Sequence, residues 1–445
     1  MNTSSLESQN SWLPAKLALF TDRLALVGAS AFALGYVPAK ALANIGLGLL
    51  LIAFLLRLPD NWRWLGRDPL VRLSGIWALL LIILAWRASA AFPETTAAQF
   101  NSILEVFSFG FIPLIAWVTR GDFGRVRLLL GLALAGIVLR ILWDGHWFSP
   151  GPLFDYQVKA FGVNKNIAGV MMDTAVVGVL LYTLHQATHI KNRQAWAGIA
   201  AAIVVIAFLL LPWAYNPSRA TWISLGISLT FMFFFLAAAT LRGALGKPAA
   251  LGFLAILMLL GSAVYLGFGE KMMARLGAEQ ETWQAILTGD WEHIPNTSIG
   301  MRIHMWHIGF ELWLQHPLFG WGTKVSHLLA SNDLNEAVRQ FVQFHNGFVE
   351  ILVRVGLVGG AFFVFAAILV FRASLRALNE GMISVFFFVF LMEAFVIFMM
   401  NNGSISFIFF QHGWQYLVLF GGLAYGYRWA ASADQPSPIP PCNAS

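Results

Sequence analysis

The sequence predicts an all-α membrane protein that crosses a lipid bilayer about a dozen times. Of its 445 residues, 58% are hydrophobic and only 11% are charged, whereas an average soluble domain has roughly 25% charged residues. Apolar runs of about 17–25 residues recur along nearly the whole chain, which is the length that a helix needs to cross a hydrocarbon layer of about 30 Å. We therefore expect helices that satisfy their own backbone hydrogen bonds inside the bilayer.

The apolar runs predict twelve spans and one long segment between the ninth and the tenth. The expected spans are 22–38, 42–57, 72–90, 102–119, 126–143, 166–184, 195–213, 220–240, 249–267, 347–371, 381–400 and 404–427. We expect one transmembrane domain over residues 1–445, with a Pro-rich cytoplasmic tail at 429–445. The long segment, 268–346, is rich in tryptophan, and the apolar spacing from Ile303 to Leu314 predicts a short amphipathic helix at the membrane surface.

The distribution of basic residues predicts the orientation of the chain. Alternate connections between spans are rich in cations, which are Arg57, Arg63, Arg67, Arg72, Arg120, Arg125, Arg127, Lys191, Arg193, Arg242, Lys247, Arg372 and Arg376. The short connections on the opposite side hold few, namely Lys40, Arg87 and Arg219. This asymmetry is typical of a membrane protein whose cation-rich connections lie in the cytoplasm. Both termini are therefore expected in the cytoplasm and segment 268–346 outside it, and the net charge of +6 reflects topology rather than binding to nucleic acid.

Several chemical motifs are missing from the sequence. It contains no Gly-Lys-Ser/Thr nucleotide loop and no His-Glu-x-x-His helix, and its single cysteine, Cys442, excludes a cysteine pair as metal ligands. An ATP-driven or metal-dependent enzyme is therefore disfavoured, and we expect no cofactor and no metal site.

The remaining candidates are cations and one histidine that the span count brings to the extracytoplasmic face. They are Arg219 before span eight, Arg302 in the amphipathic helix, His345 before span ten, and Arg87 and Arg140 near the outer ends of spans three and five. Weaker candidates for substrate binding are Lys159, Asn164, Asn166 and Asn346. An arginine at a helix end is also a common interfacial anchor. However, a phosphate-headed lipid substrate requires several cations on the same membrane face, and these residues are expected to share one. Glu350 and Arg354, four residues apart, are expected to pair within one helix.

At these residues the chain resembles the O-antigen ligase and polymerase family of polytopic bacterial envelope enzymes. The resemblance runs from about residue 160 to 362. Its motifs are Asn164-Lys165-Asn166-x-Ala168-Gly169, Asn216-Pro-Ser-Arg219-Ala220, Arg302-x-x-x-Trp306, His316-Pro317-Leu318-Phe319-Gly320-Trp321-Gly322 and His345-Asn346-Gly347-Phe348-x-x-Ile351-Leu352-x-x-x-Gly356-Leu357-x-Gly359. Arg354 departs from the pattern, since many relatives have an acidic residue there.

The resemblance implies a GT-C-like glycosyltransferase in the bacterial inner membrane with its active site facing the periplasm. It favours an O-antigen ligase, which transfers O-antigen from undecaprenyl diphosphate to the lipid A–core oligosaccharide. An O-antigen polymerase that uses the same donor is the alternative, and a lipid-linked glycan transporter or flippase is the alternative of another class. The implied partners are these two glycolipids and membrane lipids.

The residue types suggest a mechanism for such a transfer. Arginine binds phosphate oxygens in a bidentate manner, so we assign Arg219 and Arg302 to the donor diphosphate, with Arg87 and Arg140 as weaker candidates. His345 is expected to act as the general base, kept neutral by the nearby arginines. With no nucleophilic carboxylate at the motif, we expect inversion at the anomeric carbon.

Overall fold

The protein is an all-α polytopic membrane protein in the computed structural model. The structure describes residues 14–149, 152–156, 159–188, 193–241, 243, 277–291, 293–331 and 335–430, together with a few positions between 258 and 274. Nearly all of the expected span 249–267 and of the expected tail 429–445 lies outside the described residues.

Most described elements are α-helices. Their bounds are α1 Ala15–Gly35, α2 Lys40–Leu56, α3 Leu58–Leu65, α4 Pro69–Ala91, α5 Thr96–Asn101, α6 Ile103–Val106, α7 Ile112–Thr119, α8 Phe123–Asp144, α9 Lys165–Thr188, α10 Arg193–Tyr215, α11 Arg219–Leu241, α12 Gln280–Thr288, α13 Ser298–Gln315, α14 Ser326–Ala330, α15 Gly347–Asn379, α16 Val385–Asn402 and α17 Gln411–Ala430. Short 3₁₀ turns occupy Pro93–Thr95, Ser108–Phe111, Glu336–Val338 and Phe407–Phe409. A two-stranded antiparallel hairpin, β1 Lys159–Ala160 and β2 Val163–Asn164, precedes α9.

Among the described helices, eight are long and apolar enough to cross a membrane, namely α1, α4, α8, α9, α10, α11, α15 and α16. The shorter apolar helix α2 packs along α1. Helix α17 has 20 residues and is buried over most of its length. Because protein rather than lipid surrounds it, α17 tolerates the polar side chains of His412 and Gln415.

Polar side chains gather at the two ends of the bundle. At one end, which we call the loop face, segment 277–346 contacts the starts of α11 and α15. At the other end Asp68 caps α4 and accepts hydrogen bonds from Tyr425 at 2.9 Å and Trp429 at 2.8 Å. We call this end the Asp68 face. Arg72, one of the arginines that define the expected cytoplasmic side, lies one helical turn after Asp68 on α4.

Four expected boundaries were wrong, for local reasons. Span 102–119 is broken into α6, a 3₁₀ turn and α7, because Gly110 and Pro113 interrupt a regular helix. Helix α1 begins at Ala15 rather than at residue 22. Its Asp22 side chain is paired with Arg57, at the end of α2, and the helix continues through this residue. Residues 404–410 form a turn before α17, and α15 extends to Asn379.

Helix α15 contains a break that the sequence did not predict. Gly356 has φ 65° and ψ −166°, a backbone conformation that is nearly restricted to glycine. The break leaves the carbonyls of Val353 and Arg354 free to accept hydrogen bonds from the amides of Trp321 at 2.8 Å and Gly322 at 2.9 Å. In return, the amides of Leu357 and Val358 donate to the carbonyls of Pro317 at 2.9 Å and Leu318 at 3.0 Å.

These four bonds fasten the 317–322 turn, which follows α13, to the middle of α15. Arg87 donates a hydrogen bond to the Gly320 carbonyl of the same turn. The position of α13 relative to α15 is therefore fixed by backbone pairing, and two sequence motifs far apart in the chain form one structural unit.

Candidate active site

Arg219 is placed by a turn that is fastened to the start of α9. The Ser218 hydroxyl donates to the Asn166 side chain at 2.6 Å, and the Asn216 side-chain amide donates to the Lys165 carbonyl at 3.0 Å. Ser218 also accepts from the Thr221 amide at 3.3 Å, which satisfies an N-terminal amide of α11. The Asn-Pro-Ser-Arg motif thus fixes Arg219 at the first residue of α11, on the loop face.

Glu279 connects Arg219 to the N-terminus of α13. One carboxylate oxygen of Glu279 is 2.7 Å from the Arg219 guanidinium, and the other accepts from the Ile299 amide at 3.2 Å. Burial alone raises the pKa of Glu279, but hydrogen bonds from Thr297 and Arg219 outweigh burial and hold the pKa below its ordinary value. An internal anion is therefore bound between a guanidinium and a helix N-terminus, where the helix dipole favours negative charge.

Arg302 lies one turn further along α13. Within the described part of the chain, no carboxylate forms an ion pair with Arg302, although its side chain is half-buried. Burial lowers the pKa of Arg302, the positive charge of Arg219 lowers it further, and Glu279 partly opposes them. Two guanidinium groups and one carboxylate thus leave a net positive charge at this place.

His345 lies close to α13, the helix that contains Arg302, because its neighbour Phe344 packs under that helix. The Phe344 ring is fully buried against Gly309 in a cluster with Met305 and Ile308. The Phe344 amide donates to Glu350 at 2.9 Å, and His345 adopts a left-handed backbone conformation with φ 51° just before Asn346, which caps α15. The segment that carries the imidazole is therefore held by packing on one side and by a hydrogen bond on the other.

Burial and the charge of Arg302 lower the pKa of His345 to about 4, and Glu350 partly opposes this shift. With this pKa the ring is neutral at pH 7. Its Nδ1 is buried and has no hydrogen-bond partner among the described residues. A neutral imidazole next to a net positive charge is an arrangement that accepts a proton from a hydroxyl while the cations bind an anion.

The Glu350–Arg354 pair expected from the sequence is present, and it supports this arrangement. Arg354 binds Glu350 at 2.7 Å and donates to the Thr323 carbonyl at 2.9 Å, and its guanidinium lies 4.2 Å from the centre of the Phe409 ring. Glu350 also accepts from Ser406 at 3.2 Å. The pair is buried and satisfied, so the basic residue at 354 has a structural role here.

The other predicted site residues lie elsewhere on the loop face. Arg87 donates to the Phe319 carbonyl at 3.3 Å as well as to Gly320. Arg140 is paired with Asp144 at 2.9 Å and lies against Gly162 in the hairpin turn. Neither contacts Arg219, Arg302 or His345 in the described part of the structure, and their role in binding diphosphate stays a prediction.

The predicted amide side chains act as caps in the structure. Asn346 caps α15 by accepting from the Phe348 amide at 2.9 Å, and Asn164 accepts from the Asn166 amide at 2.9 Å. Asn166 is buried against Ser218, as described above, and Lys159 is exposed on β1. Substrate binding by these four residues stays a prediction.

Sequence reasoning missed Glu279. No motif surrounds it, and its partner Arg219 is 60 residues away in the chain, so only the folded structure brings the two together. Among the described residues, no group of three or more His, Cys, Asp and Glu side chains could hold a metal ion.

A comparison with protein-family models matches residues 189–364 to a family described as O-antigen ligase. The matched segment, which is less than half of the chain, is thus similar to this family. The matched segment contains Arg219, Glu279, Arg302, His345 and the Gly356 break. Members of the family are membrane glycosyltransferase-like enzymes that act on lipid-linked glycans. A comparison with curated proteins found no match.

Proposed function

We propose that this protein is an O-antigen ligase. It transfers O-antigen from undecaprenyl diphosphate to the lipid A–core oligosaccharide at the periplasmic face of the bacterial inner membrane. The observation that carries the proposal is the contact of two segments with α13, the helix that contains Arg302. Glu279 joins Arg219 to the N-terminus of this helix, and Phe344, the neighbour of His345, packs under it. All three elements lie in the segment that is similar to the O-antigen ligase family.

The two arginines bind the donor diphosphate. As the glycosidic bond breaks, its electron pair moves onto a phosphate oxygen, and preorganised guanidinium groups stabilise that charge without having to reorganise. Glu279 already shows that a carboxylate binds between Arg219 and the N-terminus of α13. The diphosphate either replaces the Glu279 carboxylate or accepts hydrogen bonds from the same donors. It also provides an anionic partner for Arg302.

His345 accepts the proton of the acceptor hydroxyl. The hydroxyl oxygen attacks the anomeric carbon from the side opposite the diphosphate, so the anomeric configuration is inverted, and the protonated imidazole then releases its proton to water. General-base catalysis of this kind contributes about 10²–10⁴-fold to the rate. Binding of the diphosphate next to Arg302 offsets that positive charge, which makes His345 more basic when the donor is present.

The test is to incubate the purified protein with undecaprenyl-diphosphate-linked O-antigen and lipid A–core, with a chelator and without nucleotide. The proposal expects larger lipid A conjugates that carry the inverted linkage. Longer carrier-linked chains would instead indicate a polymerase. If the glycan is only moved across vesicles and no covalent bond changes, the protein is a transporter and the proposal is wrong.

A further inference from the structure

A second polar group of side chains lies on the loop face, around the N-termini of α2 and α17. It consists of Tyr36, Lys40, Asn44, Arg140, His412 and Gln415, and we call it the Lys40 site. The Gln411 side chain at the start of α17 donates to Asn44 at 2.7 Å, and Gln415 donates to the same oxygen at 3.4 Å. These bonds join the first turns of two helices whose positive dipole ends meet on this face.

The floor of the Lys40 site is buried but its polar atoms are not all satisfied. Tyr36 is 2% exposed, Gln415 is 0% exposed and His412 is 3% exposed. The Tyr36 hydroxyl and the Gln415 side-chain oxygen have no hydrogen-bond partner among the described residues. Buried polar atoms normally have partners, because leaving one unpaired costs about 1–3 kcal/mol. The floor therefore offers hydroxyl and amide groups to a bound polar molecule.

The rim of the Lys40 site is basic. Lys40 is exposed at the first residue of α2, where no side chain caps the helix amides. No acidic side chain in the described ranges pairs with Lys40. Arg140 is paired with Asp144, and both Arg140 and Lys40 are close enough for their charges to act on His412. An uncapped helix N-terminus with an unpaired lysine is an arrangement that binds a phosphate group.

The Lys40 site is connected to His345 through residues 402–411. Asn402 packs against Gly347, two residues after His345, and its side chain accepts from the Ile408 amide at 2.9 Å. Gln411, which bonds to Asn44, follows three residues later. The segment that contains His345 is therefore joined to α13 through Phe344 and to the Lys40 site through residues 402–411.

From this placement we infer that the Lys40 site binds a phosphate group of the glycolipid acceptor. Lys40 and the N-terminus of α2 hold the phosphate near the membrane surface, and the buried hydroxyl and amide groups bind neighbouring sugar hydroxyls. The donor diphosphate and the acceptor phosphate then occupy separate cationic sites on either side of His345. The inference rests on the proposed transfer reaction, and it assigns Arg140 to the acceptor rather than to the donor.

The experiment compares Lys40→Gln with the wild type and with Lys16→Gln, a matched control. Lys16 is exposed near the opposite end of α1, so the control removes the same charge on the Asp68 face. We expect Lys40→Gln to raise the KM for lipid A–core about tenfold, the loss expected when one phosphate contact of about 1.4 kcal/mol disappears. The KM for the donor and the KM for dephosphorylated lipid A–core remain unchanged. A rise in the donor KM, or no change in either, would overturn the inference.

A binding measurement separates this inference from the proposed function. A ligand that binds only the folded protein raises its thermal stability, so lipid A–core should raise the Tm of the wild type and of Lys16→Gln but not of Lys40→Gln. If no glycan is transferred but this difference persists, the proposed reaction fails and the phosphate site stands. Equal stabilisation by phosphatidylglycerol vesicles would show a general lipid-headgroup site and overturn the acceptor assignment.

Discussion

At the scale of single residues, the structure explains why an imidazole is suited to this site. His345 is half-buried and feels the charge of Arg302, and both effects disfavour its charged form, so the ring stays neutral over the physiological range. Glu350 limits the shift and also holds the Phe344 amide, so the same carboxylate affects both the position and the basicity of His345. The pKa of His345 therefore depends on the charge of Arg302, and this dependence is not visible in the sequence motif.

Replacing His345 by glutamine should lower kcat by about 10²–10⁴-fold, because glutamine keeps a similar polar shape but accepts no proton at neutral pH. The KM for the donor should change little, since the arginines that bind it remain. The measurement is the initial rate of glycan transfer by protein purified to the same folded fraction. Transfer at the wild-type rate would remove His345 from the role of base.

The pH dependence of transfer tests the influence of Arg302. The neutral ring is the active form, so kcat/KM should fall as the pH decreases through the pKa of His345, about 4 in the free protein. Arg302→Gln removes a charge that lowers this pKa, so the fall should move to higher pH. It should remain below 6.5, the ordinary value, because burial is the larger cause and persists. An unchanged acid limb in Arg302→Gln would contradict the proposed coupling.

At the scale of elements, the relation between α13 and α15 determines the site. The sequence indicated α13 by its apolar spacing, but the stripe predicted to be apolar includes Phe310 and Leu314, which are 50% and 58% exposed. The face that packs on the protein contains Met301, Met305 and Ile308 instead. A helix at a membrane surface has apolar residues on two faces, one for lipid and one for protein, so periodicity alone does not separate them.

The Gly356 break shows another limit of sequence reasoning. A glycine in an apolar run is common in membrane helices, and the motif that contains Gly356 does not indicate that the helix opens there rather than at Gly360. Only the partner segment 317–322 reveals that the helix opens at one of the two and not at the other. The motifs were therefore recognisable from sequence, whereas the contact between them was not.

Gly356→Ala should destabilise the protein by about 1–3 kcal/mol or more, the usual cost of a strained backbone conformation. An added Cβ would also lie 2.3 Å from the Leu318 carbonyl oxygen. Gly360→Ala is a matched control, because its Cβ would meet only Ile351 at 3.8 Å. The measurement is the Tm of each variant in detergent together with its transfer rate. Equal Tm values for the two variants would show that the break is not required.

At the scale of the whole molecule, the charge asymmetry predicts which face meets the periplasm. Most spans were predictable, because a bilayer imposes length and apolarity on every helix that lipid surrounds. The predicted spans differ from the observed helices where protein rather than lipid surrounds the chain, as in the broken segment before α7 and in α17. The site residues on the loop face share one end of the bundle, as the span count predicted, but their grouping into two cationic sites required the fold.

Cysteine labelling tests the expected orientation. With Cys442→Ser as background, Val342→Cys on the loop face should react with a membrane-impermeant maleimide in cells whose outer membrane has been opened. Asn379→Cys at the end of α15 should react only after the inner membrane is disrupted. Both side chains are exposed, so access depends on the side of the membrane. The reverse pattern would place the site in the cytoplasm and exclude a periplasmic reaction.

The most direct test of the account is a double-variant cycle on donor binding. The Kd for undecaprenyl-diphosphate-linked glycan should rise in Arg219→Gln and in Arg302→Gln, and the effects should combine non-additively by about 0.5–3 kcal/mol, since both groups contact one diphosphate. His345→Gln, as the control, should bind the donor normally while losing transfer. Additive effects of the two arginine variants, or unchanged donor binding in both, would contradict the claim that they form one site.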